Sequence, residues 1–143
     1  MSGLDLSPEQ RLLRDTVREF ALDRIAPIAR EHDESGEFPE DTVRQMAQLG
    51  LFGIPFPEEY GGAGADALSL VLVVEELAKV DASHSITVGA HTSLGASPIH
   101  DFGTPEQKAR YLTRLASGEA LGAFGLTEAT SGSDAANMST TAV

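Results

Sequence analysis

At 143 residues, 41% of them hydrophobic, the chain has the length and apolar content for one folded unit with a buried core, which excludes global disorder. Its formal charge of −12, from 22 acidic against 10 basic residues, repels phosphate backbones and argues against nucleic acid as a partner. With no cysteine, disulfides, thiolate metal sites and cysteine nucleophiles are excluded.

The opening Met1-Ser2-Gly3-Leu4-Asp5 has neither the basic and apolar blocks of an export signal nor an arginine-rich amphipathic leader, so a cytoplasmic chain is expected. Ser7-Pro8-Glu9-Gln10 then reads as a helix start: Ser7 caps, Pro8 takes the first position without losing a needed donor, and Gln10 reaches back. Leu12, Leu13, Val17, Phe20, Ala21 and Ile25 recur at helical spacing, and Pro27 kinks or ends the run before the charged stretch Arg30 to Glu34. A second helix is expected from about Pro39, with Val43, Met46, Ala47 and Leu49 on one side and Gly50 as terminator. The proline- and glycine-rich stretch 51–64 reads as an irregular surface connection.

Asp66 is placed to cap the next element, a helix over residues 67–80 that is apolar nearly all round at its start. Its most apolar part, Leu68 to Val74, contains Ser69 and runs into Glu75-Glu76, too short to cross a bilayer, so no membrane insertion is expected. A small-residue helix from about Ser83 to Phe102 follows, carrying Ile86, Val88, Ala90, Leu94 and Ile99. Thr104-Pro105-Glu106-Gln107 repeats the first capping pattern, and Gly118 closes that last helix, the fifth or so. Beyond it, Ala120 to Leu126 is a short apolar run leading into a polar cluster, which suggests a strand entering a new layer.

The turn delivered by that run, Thr127-Glu128-Ala129-Thr130-Ser131-Gly132-Ser133-Asp134, is rich in hydroxyls, backbone amides and glycine. Such a turn suits a polar or anionic ligand edge, with Thr127 and Ser133 as donors and Gly132 permitting close approach, although most turns of this composition are plain connections. It matches neither a Rossmann nor a P-loop fingerprint. His32, His84, His91 and His100 are too scattered for a metal site, and none is assigned.

Leu126-Thr127-Glu128 followed by Gly132-Ser133-Asp134 resembles the flavin-binding signature of acyl-CoA dehydrogenases. Pro57 to Gly62, His91 to Gly95, Phe102 to Lys108 and Leu115 to Glu119 resemble the same family in order and spacing, from about Ser7 to the end of the chain. Ala129 and Thr130 depart from the proline and glycine that many members carry there.

The resemblance implies a mainly α fold: an N-terminal helical bundle over residues 1–118, then the first strand or strands of a truncated, β-barrel-like middle domain over 119–143. It implies flavin-dependent α,β-dehydrogenation of acyl-CoA thioesters of fatty or branched acids, with FAD as cofactor. An electron-transfer flavoprotein is the implied acceptor and a homotetramer the implied assembly. Phe124, Gly125, Leu126, Thr127, Gly132 and Ser133 would contact FAD, Ser133 would also lie near the acyl-CoA, and Ile86, Thr87 and Ala90 would line the acyl chain. No residue here is expected to be catalytic, because the family's glutamate base belongs to a C-terminal helical domain absent from this chain, and Glu128 is given a structural part. Two alternatives stay open: an acyl-CoA oxidase or flavin monooxygenase of the same fold, and a truncated, non-catalytic helical interaction module.

Overall fold

The computed structural model describes residues 5–141. The parts of the reading that rest on Met1 to Leu4, and the end of the expected β segment at Ala142 and Val143, lie outside the described residues. Among those described, six helical rods follow one another: α1 (8–25), α2 (Ala29–Ser35), α3 (Glu40–Gln48), α4 (Ala67–Ala78), α5 (82–102) and α6 (105–116). The mainly helical architecture is the expected one. The short α2, from the charged stretch, is an addition; it ends where Gly36 turns left-handed with φ 72°.

The capping residues fulfil their predicted parts. Ser7 Oγ accepts from the Gln10 N–H at 3.1 Å while Gln10 Oε1 accepts from the Ser7 N–H at 3.0 Å, and Thr104 with Gln107 repeats the exchange at α6. Asp66 caps α4 through the Ser69 N–H at 2.8 Å. Asp81 does the same for α5, accepting from the His84 N–H.

Ahead of two prolines the helix widens into a π turn, and at Pro27 the run also ends, as expected. A proline ring collides with the carbonyl four residues back, and a π turn moves that carbonyl aside. Ahead of Pro27, residues Ala21–Ile25 are π-helical and the Ala26 N–H reaches the Ala21 carbonyl; ahead of Pro98, His91–Ala96 are π-helical and the Ser97 N–H reaches Thr92. Ser97 Oγ donates to the same Thr92 carbonyl at 2.8 Å. Thus α5 continues through its proline as one rod, whereas α1 ends with its π turn at Ile25, just ahead of Pro27.

The expectation of a surface connection at 51–64 is wrong. Leu51, Phe52, Ile54 and Phe56 are all buried, so this stretch supplies core and is not a plain link. Backbone bonds fold it inward: Ala63 N–H to Gly53 O, Ala65 N–H to Ile54 O, and Gly64 N–H to Phe56 O. Gly62 is obligatory here, since a Cβ on it would stand 2.1 Å from the Phe56 carbonyl oxygen.

Helix α1 packs on α4 and α4 on α5. Val17, Ala21 and Ile25 meet Phe52, Val73 and Leu77 in the larger apolar cluster, while Phe56, Ala96, Leu112 and Leu115 form a second one beside α6. The buried Glu76 of α4 accepts two bonds from Arg18, at 2.9 and 3.0 Å, and one from Lys79 at 2.8 Å. Arg18 above all, with Lys79, holds its carboxyl below the usual carboxylate range against the opposing effect of burial. Buried His84 links α5 to α3, with Nδ1 against Asp81 at 2.5 Å and Nε2 against Thr42 Oγ1 at 2.7 Å.

Phe52 is fully enclosed, so Phe52→Ala leaves a cavity as well as losing its transfer energy. The expected loss of unfolding free energy is about 3–5 kcal/mol by urea titration; a loss under about 1 kcal/mol, typical of surface sites, would return 51–64 to the surface.

Candidate functional site

The sequence-derived candidates fall on two neighbouring pieces of the chain. The first is the outer face of α5. There Ile86 is 66% exposed, while His84, Ser85 and Val88 on the inner face are buried. Thr87 and Ala90 are half-buried, and Thr87 Oγ1 already donates to the Ser83 carbonyl at 2.8 Å, so it offers a ligand its methyl and its lone pairs. Gly89 leaves room: a Cβ there would meet only Val74 Cγ2, at 4.0 Å.

The second piece is the segment 119–134. Its expected strand has no ladder, because no second strand is present among the described residues, and the only pairing is the bridge between Glu128 and Ser131. Phe124, Gly125 and Thr127 are exposed, and Leu126 is half-buried. Among the described residues, the backbone N–H groups of 123–127 have no hydrogen-bond partner within the chain. Gly125 has open space around it, and Thr127 and Gly132 come together, with Thr127 Cγ2 3.7 Å from where a Gly132 Cβ would be. Ser133 is exposed beside them.

The turn itself is built by Ser131, which sequence reasoning passed over, and by Glu128, to which it gave a structural part. Ser131 is buried, and its hydroxyl donates to the Asp134 carbonyl at 2.7 Å. The serine-to-aspartate spacing of three was the available signal. Glu128 faces inward along its own loop, accepting from Ser139 N–H at 2.9 Å, Ser139 Oγ at 2.8 Å and Thr140 N–H at 3.0 Å. Hydrogen bonds from Thr140 and then Ser139 pull its carboxyl down to about 2, which suits an acceptor and opposes a part as general base near neutrality.

The two pieces touch at the π turn of α5. Gly95 and Gly122 cross backbone to backbone, so closely that a Cβ on Gly95 would stand 2.7 Å from Gly122 Cα. Beside the crossing, buried His91 joins Gly122 N–H to Nδ1 at 3.0 Å and Leu115 O to Nε2 at 3.1 Å. Burial lowers its pKa, opposed by the bond to Leu115. Sequence reasoning set His91 aside as a metal ligand and noted it only within a stretch that resembles the family. Among the described residues no group of three or more His, Cys, Asp or Glu is gathered for a metal, and no helix is long and apolar enough to cross a membrane.

Residues 7–119 match the family model described as acyl-CoA dehydrogenase, N-terminal domain. The chain is 52% identical over 141 residues to a probable acyl-CoA dehydrogenase, YngJ, of Bacillus subtilis, covering 99% of this chain and 37% of that protein. Butyryl-CoA dehydrogenase of Megasphaera elsdenii superposes with a TM-score of 0.87 at 40% identity, over 94% of this chain and 36% of the other. A chain in the structure titled as the electron transferring flavoprotein of Acidaminococcus fermentans superposes with a TM-score of 0.90 at 45% identity, over 95% and 36%. This chain therefore belongs to the acyl-CoA dehydrogenase family and carries its N-terminal helical domain. It spans 37% of the length of that curated relative.

Because the folded-state pKa of Glu128 is depressed, its hold on the 139–140 segment is complete above the ordinary carboxylate value of 4.5 and is lost as pH falls through about 2. The backbone amide shifts of Ser139 and Thr140 are expected to titrate together with a midpoint of about 2. A midpoint at 4.5 would mean that these bonds do not form in solution.

Proposed function

We propose that the chain is the front portion of an FAD-dependent acyl-CoA dehydrogenase, with residues 1–118 as helical domain and 119–143 as the opening of a β domain. The end of the family match at residue 119 supports that division. The observation that carries the functional reading is the placement of the run 124–133 just beyond the contact of Gly122 with α5, which brings it beside the outer face of that helix. An exposed Phe124, an open Gly125 and the exposed Thr127 hydroxyl fit the flat face and polar edge of an isoalloxazine.

In this reading Phe124, Gly125, Leu126 and Thr127 lie along the flavin, while Gly132 and Ser133 approach it from the turn, Ser133 also serving the acyl-CoA. Ile86, Thr87 and Ala90 wall the acyl chain. FAD, when bound, supplies the two-electron acceptor for the hydride that leaves the β carbon. These residues bind and orient, and none of them removes the α proton. Glu128 spends its carboxylate on Ser139 and Thr140, which supports a structural part for it. The likeness to a chain of the electron transferring flavoprotein structure supports such a flavoprotein as electron acceptor. A homotetramer in the cytoplasm completes the reading, and light scattering of the intact polypeptide tests the tetramer.

Addition of a fatty acyl-CoA to the intact, flavin-loaded polypeptide is expected to bleach the flavin within a stopped-flow trace, with slow return in oxygen. Rapid return would favour an oxidase, and no bleaching by any thioester would remove the reading. In the same protein, Ala90→Phe fills the open face of α5 and is expected to shift preference toward shorter acyl chains by about tenfold in kcat/KM, the scale of one or two methylenes. An unchanged chain-length profile takes Ala90 out of the pocket wall. Residues 1–143 alone, lacking most of the cofactor's contacts, are expected to retain no stoichiometric flavin, and a yellow preparation would contradict this.

A further inference from the structure

Hydrogen bonding determines the protonation of His91. A backbone N–H can only donate, so Nδ1, which faces the Gly122 N–H at 3.0 Å, carries no proton. The ring proton is then on Nε2 and donates to the Leu115 carbonyl at 3.1 Å. The imidazole is neutral, 2% exposed, and packed against Phe52 with centroids 4.7 Å apart. Its donor and its acceptor are both spent on backbone, one from α6 and one from the segment beyond it.

The bond to Gly122 is also the last one. Among the described residues, every hydrogen bond made by 123–141 stays within that stretch: Glu128 with Ser131, Ser139 and Thr140, Ser131 with Asp134, and Asn137 with Thr130 and Asp134. The position of Phe124, two residues further on, is therefore inherited from Gly122. The bare backbones of Gly95 and Gly122 permit the approach that this bond requires.

We propose that His91 is a positioning residue for the cofactor segment, clasping Gly122 so that residues 124–133 are presented at a fixed height above α5. The proposal rests on the flavin reading of 124–133. It assigns His91 no contact with FAD or thioester.

The test uses the intact polypeptide and two variants. His91→Leu keeps bulk and removes both bonds, while His91→Gln retains one acceptor and one donor. The expected result for His91→Leu is FAD binding weakened by about tenfold or more, an altered visible circular dichroism of the bound flavin, and faster amide exchange at Gly122, with recovery of most of all three in His91→Gln. In the flavin-free parent, the Gly122 amide is expected to be protected from exchange, a measurement that needs no variant to fold. An unprotected Gly122 amide, or a folded His91→Leu protein with parental affinity and spectrum, overturns the proposal. A parent with Gly122 protected but no affinity for FAD removes the flavin reading instead, and with it the positioning role, leaving the clasp as a fold element.

Discussion

The contact between Phe52 and His91 joins the two halves of the helical body. The phenyl ring belongs to the larger apolar cluster, shared with α1, α3 and α4, while the imidazole it packs against is bonded to Leu115 of the smaller one. Gly118 turns left-handed directly beneath, where a Cβ would stand 2.9 Å from the Phe52 ring. Around this pair the chain places three elements that are remote in sequence: the inward-folded 51–56 stretch, the π turn of α5 and the end of α6. A buried aromatic ring with many apolar neighbours is stabilising in any small domain; here it also packs, tilted by 59°, against an imidazole whose nitrogens are bonded elsewhere.

The π turns show how this arrangement tolerates proline. An unbroken α-helical path through Pro98 would set the ring against the Leu94 carbonyl, and widening the turn avoids that collision without ending α5. The same widening carries His91, Thr92 and Gly95 around the helix to the side where α6 and the 120–122 stretch pass. Thr92 Oγ1 is left buried without a partner, a local cost that the neighbouring bonds of Ser97 and His91 accompany.

Much of the fold was legible in the sequence because local chemistry decides it. Ser7 with Gln10, Thr104 with Gln107, and Asp66 mark helix starts by side-chain bonds that span three residues, and Gly50 and Gly118 mark ends by a conformation other residues avoid. The 51–64 stretch was misread for the opposite reason. Phe52, Ile54 and Phe56 alternate, but the prolines and glycines among them read as punctuation, and what buries them is a set of backbone bonds across the loop and close approaches at Gly53 and Gly62 that no window of sequence reveals. The likeness to a family located the candidate segment, but it drew attention to Thr127, Gly132 and Ser133. Ser131 and His91, which shape that segment from beneath, are ordinary in composition and become visible only through their partners.

The meeting of Gly95 with Gly122 is main chain on main chain. Its geometry is therefore indifferent to whatever side chains stand at 86, 90 or 124. On the function proposed above, a lineage carrying this architecture is free to enlarge, narrow or reshape the α5 face without disturbing the height at which the neighbouring segment is held. That reading places selectivity and alignment on separate residues, so that adaptation to a new substrate need not begin by damaging the part that receives it.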